Sequence, residues 1–428
     1  MSPNAWAVAR LGAVLAAIAA AFWIAGLGAL LLFIVALVVM VVFHELGHFL
    51  TAKWSGMKVT EYFIGFGPRL WSIRRGETDY GVKPILAGAY VKIPGMTNLE
   101  QVDPADEPRT YRQKPFRNRV LVASAGSIMH YVMAFVLAWV AVVTFGVPSR
   151  TQVQVAGFVK WSGHSQTAAQ AAGLRAGERI LSVDGTAIGT TSALSSAIQA
   201  TRGRPATVVV TQRGRQRTLV VRPQAGHTVT AGSTVREVLG PSPNGKKDWL
   251  IGIVTQGSPL FTAEAPVRAV GTAAIDMATV TKATVVGIAH VFSPGGVGAL
   301  FNQVTSPQAA ARASANPAKS QRVGSIVQAG QLAVDAEHHG VYYFLSVLIA
   351  LSIVLGLMNM LPMLPLDGGH VVIALYERVR TRRGRPYYQA DVAKLLPVAY
   401  AFMAVLVVVV GSAVFLDIAH PVANPFGY

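Results

Sequence analysis

Four long stretches free of Asp, Glu, Lys and Arg set the organisation of this chain. The first holds thirty-three residues between Arg10 and His44. As one straight helix it would reach about 50 Å, more than a single bilayer core, so it is expected to break near Gly26 and Gly28. Residues 27–52 then form a first core transmembrane helix. The N-terminal apolar segment 1–26 holds, over 8–25, an extra crossing, a membrane-lying stretch or a cleaved signal peptide with Ala-rich residues 16–21. Val120–Val147, Val341–Leu366 and Leu395–Leu416 are the other runs, each long enough to cross as a helix.

Between these runs the pattern changes. Tyr80, Val82, Ile85, Tyr90 and Val91 among glycines predict a β-hairpin over Thr78–Lys92. Strands at Val208–Thr211 and Thr218–Val221 flank Arg213-Gly214, a hairpin turn signal. The turn-rich Gly240-Pro241-Ser242-Pro243-Asn244-Gly245 predicts a linker over 226–250. Val267–Val285 and Val323–Val334 have helical period, separated by an Ala/Ser-rich loop at 305–320. These are either helices on the outer membrane surface that gate entry or simple packing helices.

Composition narrows the class. Hydrophobic residues make up 52% and charged residues 13%, with a mean hydropathy of +0.44, which excludes a wholly soluble or a disordered chain. The 37 Lys+Arg against 20 Asp+Glu leave a net charge of +17. No nucleic-acid motif accompanies that charge, so membrane lipid is the expected partner and nucleic acid is not. Residues 51–119 carry twelve Lys/Arg and seven Asp/Glu, and five Arg lie between Arg378 and Arg385. The positive-inside rule makes both loops cytoplasmic and leaves 148–341 outside. The absence of cysteine removes disulfides, thiolate metal sites and cysteine nucleophiles.

The candidate chemistry begins at His44-Glu45-Leu46-Gly47-His48. On a helix, positions i and i+4 share a face, so two imidazoles can reach one Zn²⁺ while Glu45 touches its water. With ten His and ten Glu in 428 residues, chance places this pattern about 0.005 times per chain, so the signal is specific. Three ionisable residues within an apolar run are costly unless they face a protein interior or a wet cavity. A catalytic zinc site usually has three protein ligands, so a third is required. Asp367 is the carboxylate in a conspicuous setting, after Asn359-Met360-Leu361-Pro362-Met363-Leu364-Pro365-Leu366 and before Gly368-Gly369-His370. The two prolines break the helix there, and unwound backbone at membrane depth must line a cavity or be buried in protein. The competing reading is an ordinary Asp N-cap of a helix over Gly368–Arg380.

These residues resemble the site-2 protease family of intramembrane zinc metalloproteases, in particular its RseP-like bacterial group. The likeness rests on His44 to His48, on Asn359 to Gly368, on Gly65-Phe66-Gly67-Pro68, and on Gly81-Val82-Lys83-Pro84-Ile85-Leu86-Ala87-Gly88-Ala89-Tyr90-Val91-Lys92. It extends to the PDZ-like signature Ala172-Gly173-Leu174-Arg175-Ala176-Gly177-Glu178-Arg179-Ile180-Leu181-Ser182-Val183-Asp184-Gly185. The resemblance implies His44, His48 and Asp367 as zinc ligands, Glu45 as general base and Asn359 as a substrate-binding residue. There are departures: the proline before the aspartate is shifted to Pro365, and the usual Gly-Pro-x-x-Asn reads Gly126-Ser127-Ile128-Met129-His130. His130 is thus a buried polar contact or a rival ligand, and His370 a neighbour of the ligands rather than one of them. His164 and His227 are read as surface residues.

The expected fold is a polytopic α-helical membrane protein with four core transmembrane helices at 27–52, 119–147, 341–366 and 395–416. A membrane-associated β-hairpin region at 53–118 and one extracytoplasmic PDZ-like α+β domain at 152–224 complete it. Linker and amphipathic helices fill 225–340, a cytoplasmic helix and basic loop 367–394, and a tail 417–428. The resemblance implies a multi-pass protein of the bacterial cell membrane that cuts single-span membrane proteins, anti-sigma factors among them, after a first extracytoplasmic cut. Removal of leftover signal peptides uses the same chemistry. Two other classes stay open: a non-catalytic PDZ membrane scaffold, in which the polar residues of the spans are dispensable, and a metal transporter, which needs carboxylates and histidines along a path.

Overall fold

A computed structural model describes residues 12–13, 16–17, 19–96, 100–161, 165–212, 214–231, 234–239, 248–262, 264–315, 322–381 and 388–422. Within the expected N-terminal segment 8–25, residues 12–13, 16–17 and 19–25 are among them. Its described part is helical over 19–24 and ends at Gly26, whose φ of +71° breaks the helix where the sequence pattern places the break. The chain divides into two compact units, Val142–Ala265 forming the body of one and the segments before and after it the other.

In the larger unit, α1 (Gly28–Trp54) is apolar all round, and it buries one stripe that includes Met40, His44, Gly47, His48 and Ala52. These positions fall three to four residues apart, the spacing of one helix face. Four strands follow, β1 (Glu61–Phe66), β2 (Trp71–Arg75), β3 (Thr78–Val82) and β4 (Ile85–Lys92), in the sheet order β2-β3-β1-β4. The hairpin expected over Thr78–Lys92 is therefore corrected. Strand β1 lies between β3, to which it is parallel, and β4, to which it is antiparallel. The Lys83-Pro84 link crosses over β1: the Lys83 N–H donates to the Ile64 carbonyl at 2.8 Å. The antiparallel hairpin is β2–β3, turning at Gly76. The sheet packs on the end of α1, where Phe49 meets the edges of Tyr62 and Tyr80 at 5.6 and 5.8 Å. Ala52, Met57, Val59, Ile93, Tyr111 and Val122 fuse α1, the sheet and the start of α2 (Phe116–Thr144) into one core.

The smaller unit contains β5 (Val147–Phe158), β6 (Lys160–Trp161), α3 (Ala168–Ala171), β7 (Arg179–Val183), β8 (Thr186–Ala187), α4 (Thr191–Ala200), β9 (Ala206–Gln212), β10 (Arg215–Val221), β11 (Gln224–Ala231), β12 (Thr234–Leu239), β13 (Asp248–Leu250) and β14 (Ile253–Thr262). Its main sheet runs β10-β9-β7-β5-β14, with β8 paired to β7. On β9, Ala206, Val208 and Val210 alternate inward with period two and join Val153, Ile180, Leu194 and Ile198 in the core. Thr167 and Thr190 cap the two helices, the first in a reciprocal capping box with Gln170. The β9–β10 hairpin lies where Arg213-Gly214 signalled a turn. The unit is wider than 152–224, because β14 pairs with β5 from Ile253–Phe158 to Thr262–Val147. The expected linker over 226–250 instead contributes β11, β12 and β13; its turn-rich centre, 240–247, lies outside the described residues.

The larger unit resumes with α5 (Pro266–Val291), α6 (Pro294–Thr305), α7 (Pro307–Ala315), α8 (Ile326–His339), α9 (Val341–Asn359), α10 (Asp367–Arg380) and α11 (Leu396–Ala419). Among the described residues five helices are long and apolar enough to cross a membrane: α1, α2, α5, α9, and α11 with its leading turn. The sequence reading has four; Arg268, Asp276 and Lys282 interrupt α5 and hide it from a search for uncharged runs. The Trp139 indole donates to the Pro266 carbonyl at 3.0 Å, and Met277 packs with Ala134 and Ile353, so α5 runs antiparallel to α2. Phe292 stacks on Phe402 near the start of α11, and Leu300 of α6 clusters with Leu416 near its end. The α5–α6 pair thus enters and turns back beside α11. The Arg322 guanidinium, 1% exposed, pairs at 2.8 Å with Asp417, 0% exposed.

Candidate metal centre

Three side chains from two distant parts of the sequence meet where α1, α2 and α10 converge. His44 and His48 stand one helical turn apart on the buried stripe of α1, and their Nε2 atoms are 3.2 Å apart. Asp367, the first residue of α10, brings Oδ2 to 3.4 Å from the His44 Nε2 and 3.3 Å from the His48 Nε2. The Asp N-cap reading does not describe this side chain: Leu366 holds the cap position, and the Asp367 carboxylate faces the imidazoles. The unwound stretch 360–366, with Pro362 and Pro365, carries the chain from α9 to that point.

The spacing of these three side chains fits a zinc ion. Tetrahedral zinc with bonds of about 2.0–2.1 Å to His nitrogen and carboxylate oxygen has ligand–ligand edges of about 3.3–3.4 Å. The three observed separations, 3.2, 3.3 and 3.4 Å, match those edges. His48 donates its Nδ1–H to the Val122 carbonyl at 2.7 Å, which leaves a lone pair on Nε2. The buried Asp367 Oδ2 has no hydrogen-bond donor. Lone pairs converging on one point repel one another unless a cation sits between them, so the donor set fits zinc. Among the described residues, His44, His48 and Asp367 form the one group able to hold a metal in this way.

The pocket depends on glycine. A Cβ on Gly126 of α2 would fall 2.3 Å from His44 Cε1 and 2.5 Å from the His48 Nε2, so only a bare Cα fits behind the two rings. One on Gly47 of α1 would strike the Ala125 carbonyl at 2.6 Å. These two residues let the helices approach closely enough for the Val122 carbonyl to reach His48.

Glu45 follows His44 on α1, and the backbone of Val91, on the edge strand β4, contacts its carboxylate. Burial and the nearby Glu45 push the Tyr62 phenol up to about 12. Tyr62 therefore stays a neutral donor to the Val42 carbonyl at 2.8 Å, fastening the sheet to the turn of α1 ahead of the histidines. Two apolar recesses flank the unwound stretch. One, of about 440 Å³, is lined by Ser127, Tyr131, Phe135 and Met360. The other, of about 490 Å³, is lined by Val285, Phe292, Leu357, Met360 and Phe402.

Asn359 closes α9, half-buried, at the head of the unwound stretch. His130 is a buried polar contact: the Ser352 hydroxyl donates to the His130 carbonyl at 2.9 Å and so accepts from the His130 Nδ1 at 3.3 Å. It does not join the three-residue group. His370 faces Tyr111 edge-on at 6.4 Å and does not join that group. His164 and the His227 side chain lie outside the described residues. Sequence reasoning missed Val122, Tyr62 and Ser352. Ser352 alone carried a signal, a polar residue within an uncharged span.

Comparison with known proteins adds three findings. The family model described as Peptidase family M50 matches residues 32–406. The chain is similar to the zinc metalloprotease Rip1 of Mycobacterium tuberculosis (strain H37Rv), with 31% identity covering 92% of this chain and 97% of the relative. It is similar also to zinc metalloprotease Rip1 of Mycolicibacterium smegmatis, with 30% identity covering 93% and 98%.

Proposed function

The chain belongs to peptidase family M50 and is a zinc metalloendopeptidase, and on that premise we propose that it cuts single-span membrane proteins within or beside their transmembrane segment. His44, His48 and Asp367 hold the zinc, Glu45 is the general base, and Asn359 contacts the substrate near the scissile bond. The observation that carries this reading is the convergence of three ligand atoms at 3.2–3.4 Å beside Glu45, inside a bundle of apolar helices.

When bound, zinc lowers the pKa of water and polarises the peptide carbonyl. Glu45 takes the proton of the attacking water and passes it to the leaving nitrogen. A peptide bond in a helix is hydrogen-bonded internally, so the substrate must unwind before it can be cut. The edge of β4, which reaches Glu45 through Val91, is suited to receive the unwound segment as an added strand. The recesses beside Met360 are suited to its apolar side chains.

The PDZ-like unit lies on the extracytoplasmic side of a bacterial cell membrane and admits substrates already shortened there, anti-sigma factors being the expected class. A transporter would need ligands along a path, whereas the described residues concentrate them at one point. A scaffold has no use for the converging lone pairs.

The test reconstitutes the purified chain with a tagged single-span substrate and reads zinc content and cleavage together. Glu45→Gln is expected to keep zinc and lose cleavage, and Asp367→Ala to lose both. Undiminished cleavage by Glu45→Gln rejects the mechanism, and a zinc content independent of His44 and Asp367 rejects the site.

A further inference from the structure

The metal ligands come from α1 and α10, two helices that do not carry each other, and a second buried cluster connects both to one frame. The Arg119 guanidinium at the start of α2 is 3% exposed and lies 2.5 Å from the Glu377 carboxylate of α10, 5% exposed. The other Glu377 oxygen accepts from the Ala390 N–H at 2.6 Å. Tyr111 packs beneath the guanidinium at 5.0 Å, donates its hydroxyl to the Arg119 carbonyl at 3.1 Å, and meets His370 of α10 edge-on. The assigned chemistry uses none of these groups.

Their placement along α2 gives them a role. One turn beyond Arg119, the Val122 carbonyl fixes the His48 imidazole; one turn beyond that, Gly126 backs both rings. The position of the histidines is therefore referred to α2. The position of Asp367 is referred to the same helix through Glu377, because α10 is continuous from Asp367 to Arg380 and transmits any shift or rotation to its first residue. Burying two charges is a poor way to gain stability, since desolvation offsets most of their attraction; what such a pair supplies is a defined geometry.

We propose that Arg119 and Glu377 are a positioning pair that fixes α10 on α2, so that the Asp367 carboxylate is held at ligand distance from His44 and His48. The inference rests on the zinc reading of that triad. It deepens it by assigning part of the metal affinity to two charged residues that touch neither metal nor substrate.

Breaking one partner of a buried pair can unfold a protein, whereas replacing both with apolar residues is often neutral or stabilising. The informative variants are therefore the double replacement Arg119→Met with Glu377→Leu, and the near-isosteric Glu377→Gln. Full-length protein in detergent is measured for zinc affinity by competition with a chromophoric chelator, and for thermal unfolding after zinc removal. Wild type and His44→Ala set the scale. If zinc binding by the wild type does not depend on His44, the zinc reading fails first, independently of this pair. Given that dependence, the double variant is expected to keep the zinc-free unfolding midpoint and bind zinc about tenfold or more weakly, as loss of groups supporting metal ligands commonly does. Glu377→Gln is expected to fall between the double variant and wild type. Zinc affinity unchanged in the folded variants overturns the proposal. So does an affinity that falls only in step with zinc-free stability across the series, because that is the behaviour of a structural pair.

Discussion

At the scale of single residues, the centre is defined as much by what is missing as by its ligands. Gly126 supplies no chemistry, yet any side chain there would occupy the space of both imidazoles. Gly126→Ala is expected to push the histidines off their common point. It should cost about 1–3 kcal/mol of folding stability, as overpacking does, and lower zinc content after dialysis far more than Gly12→Ala, whose added Cβ meets nothing within 4 Å. Zinc content equal in the two variants would show that the close approach of α2 is not needed for binding. Asp417 is a second such residue. It accepts from Arg322 at 2.8 Å and from the Ser325 N–H at 2.8 Å at the far end of α11. Asp417→Asn leaves the Arg322 charge buried against a neutral amide, and removal of one partner from such a pair typically costs about 3–5 kcal/mol. A thermal unfolding series should place Asp417→Asn well below wild type.

At the scale of elements, the contacts that join α1 to the β1–β4 sheet respond to pH. Glu77, just before β3, takes a charged hydrogen-bonded pair from Arg109 at 2.7 and 2.8 Å and an ion pair from Lys53 of α1 at 2.5 Å. Chiefly through Arg109, its carboxyl is held down to about 2 from an ordinary 4.5. A lowered folded-state value means that the contribution is complete above the unfolded value and is lost as pH falls from 4.5 towards 2. Partial exposure keeps it to about 1 kcal/mol or less. The stability gap between wild type and Glu77→Gln should be constant above about pH 5, close as pH drops towards the folded value, and shrink in high salt; a gap that widens on acidification contradicts this account. These same elements mark where sequence reading succeeds. The spans α1, α2, α9 and α11 are legible because a bilayer forbids charge over a whole helix, and the ligand motif because an i, i+4 spacing is local. The β-sheet was misread because the strand that separates β3 from β4 comes from before both of them, and alternation along a strand carries no record of its partner. Helix α5 reads in sequence as a surface or packing helix over Val267–Val285 rather than as a span, because Arg268, Asp276 and Lys282 break its apolar run. Asp367 could be singled out by its prolines and glycines, whereas the Val122, Arg119 and Glu377 contacts join positions far apart in the chain and leave no local pattern.

At the scale of the whole molecule, α5 raises a question of parity. Five crossings from α1 to α11 would put the basic loop after α10 on the opposite side from the basic segment 53–115, against the positive-inside rule. The contacts of α5 and α6 remove the conflict: Pro266 lies beside Trp139, Phe292 beside Phe402, and Leu300 in the cluster with Leu416, so the pair returns to the side it entered from. In the proposed orientation, four crossings then leave both basic loops together on the inner face and Pro307 onward on the outer one. The chain has no cysteine, so any introduced thiol is a clean reporter. Three exposed positions are suitable: Arg75→Cys on β2, Asp184→Cys after β7 and Gln308→Cys on α7. With a membrane-impermeant maleimide on intact cells, Asp184→Cys and Gln308→Cys should label at once and Arg75→Cys only after permeabilisation. If Gln308→Cys instead follows Arg75→Cys, α5 is a full crossing, and the orientation proposed for the last two spans must be reversed. Should Asp184→Cys be the one shielded, the PDZ-like unit faces the cytoplasm, and a role in screening substrates shortened outside the cell is lost with it.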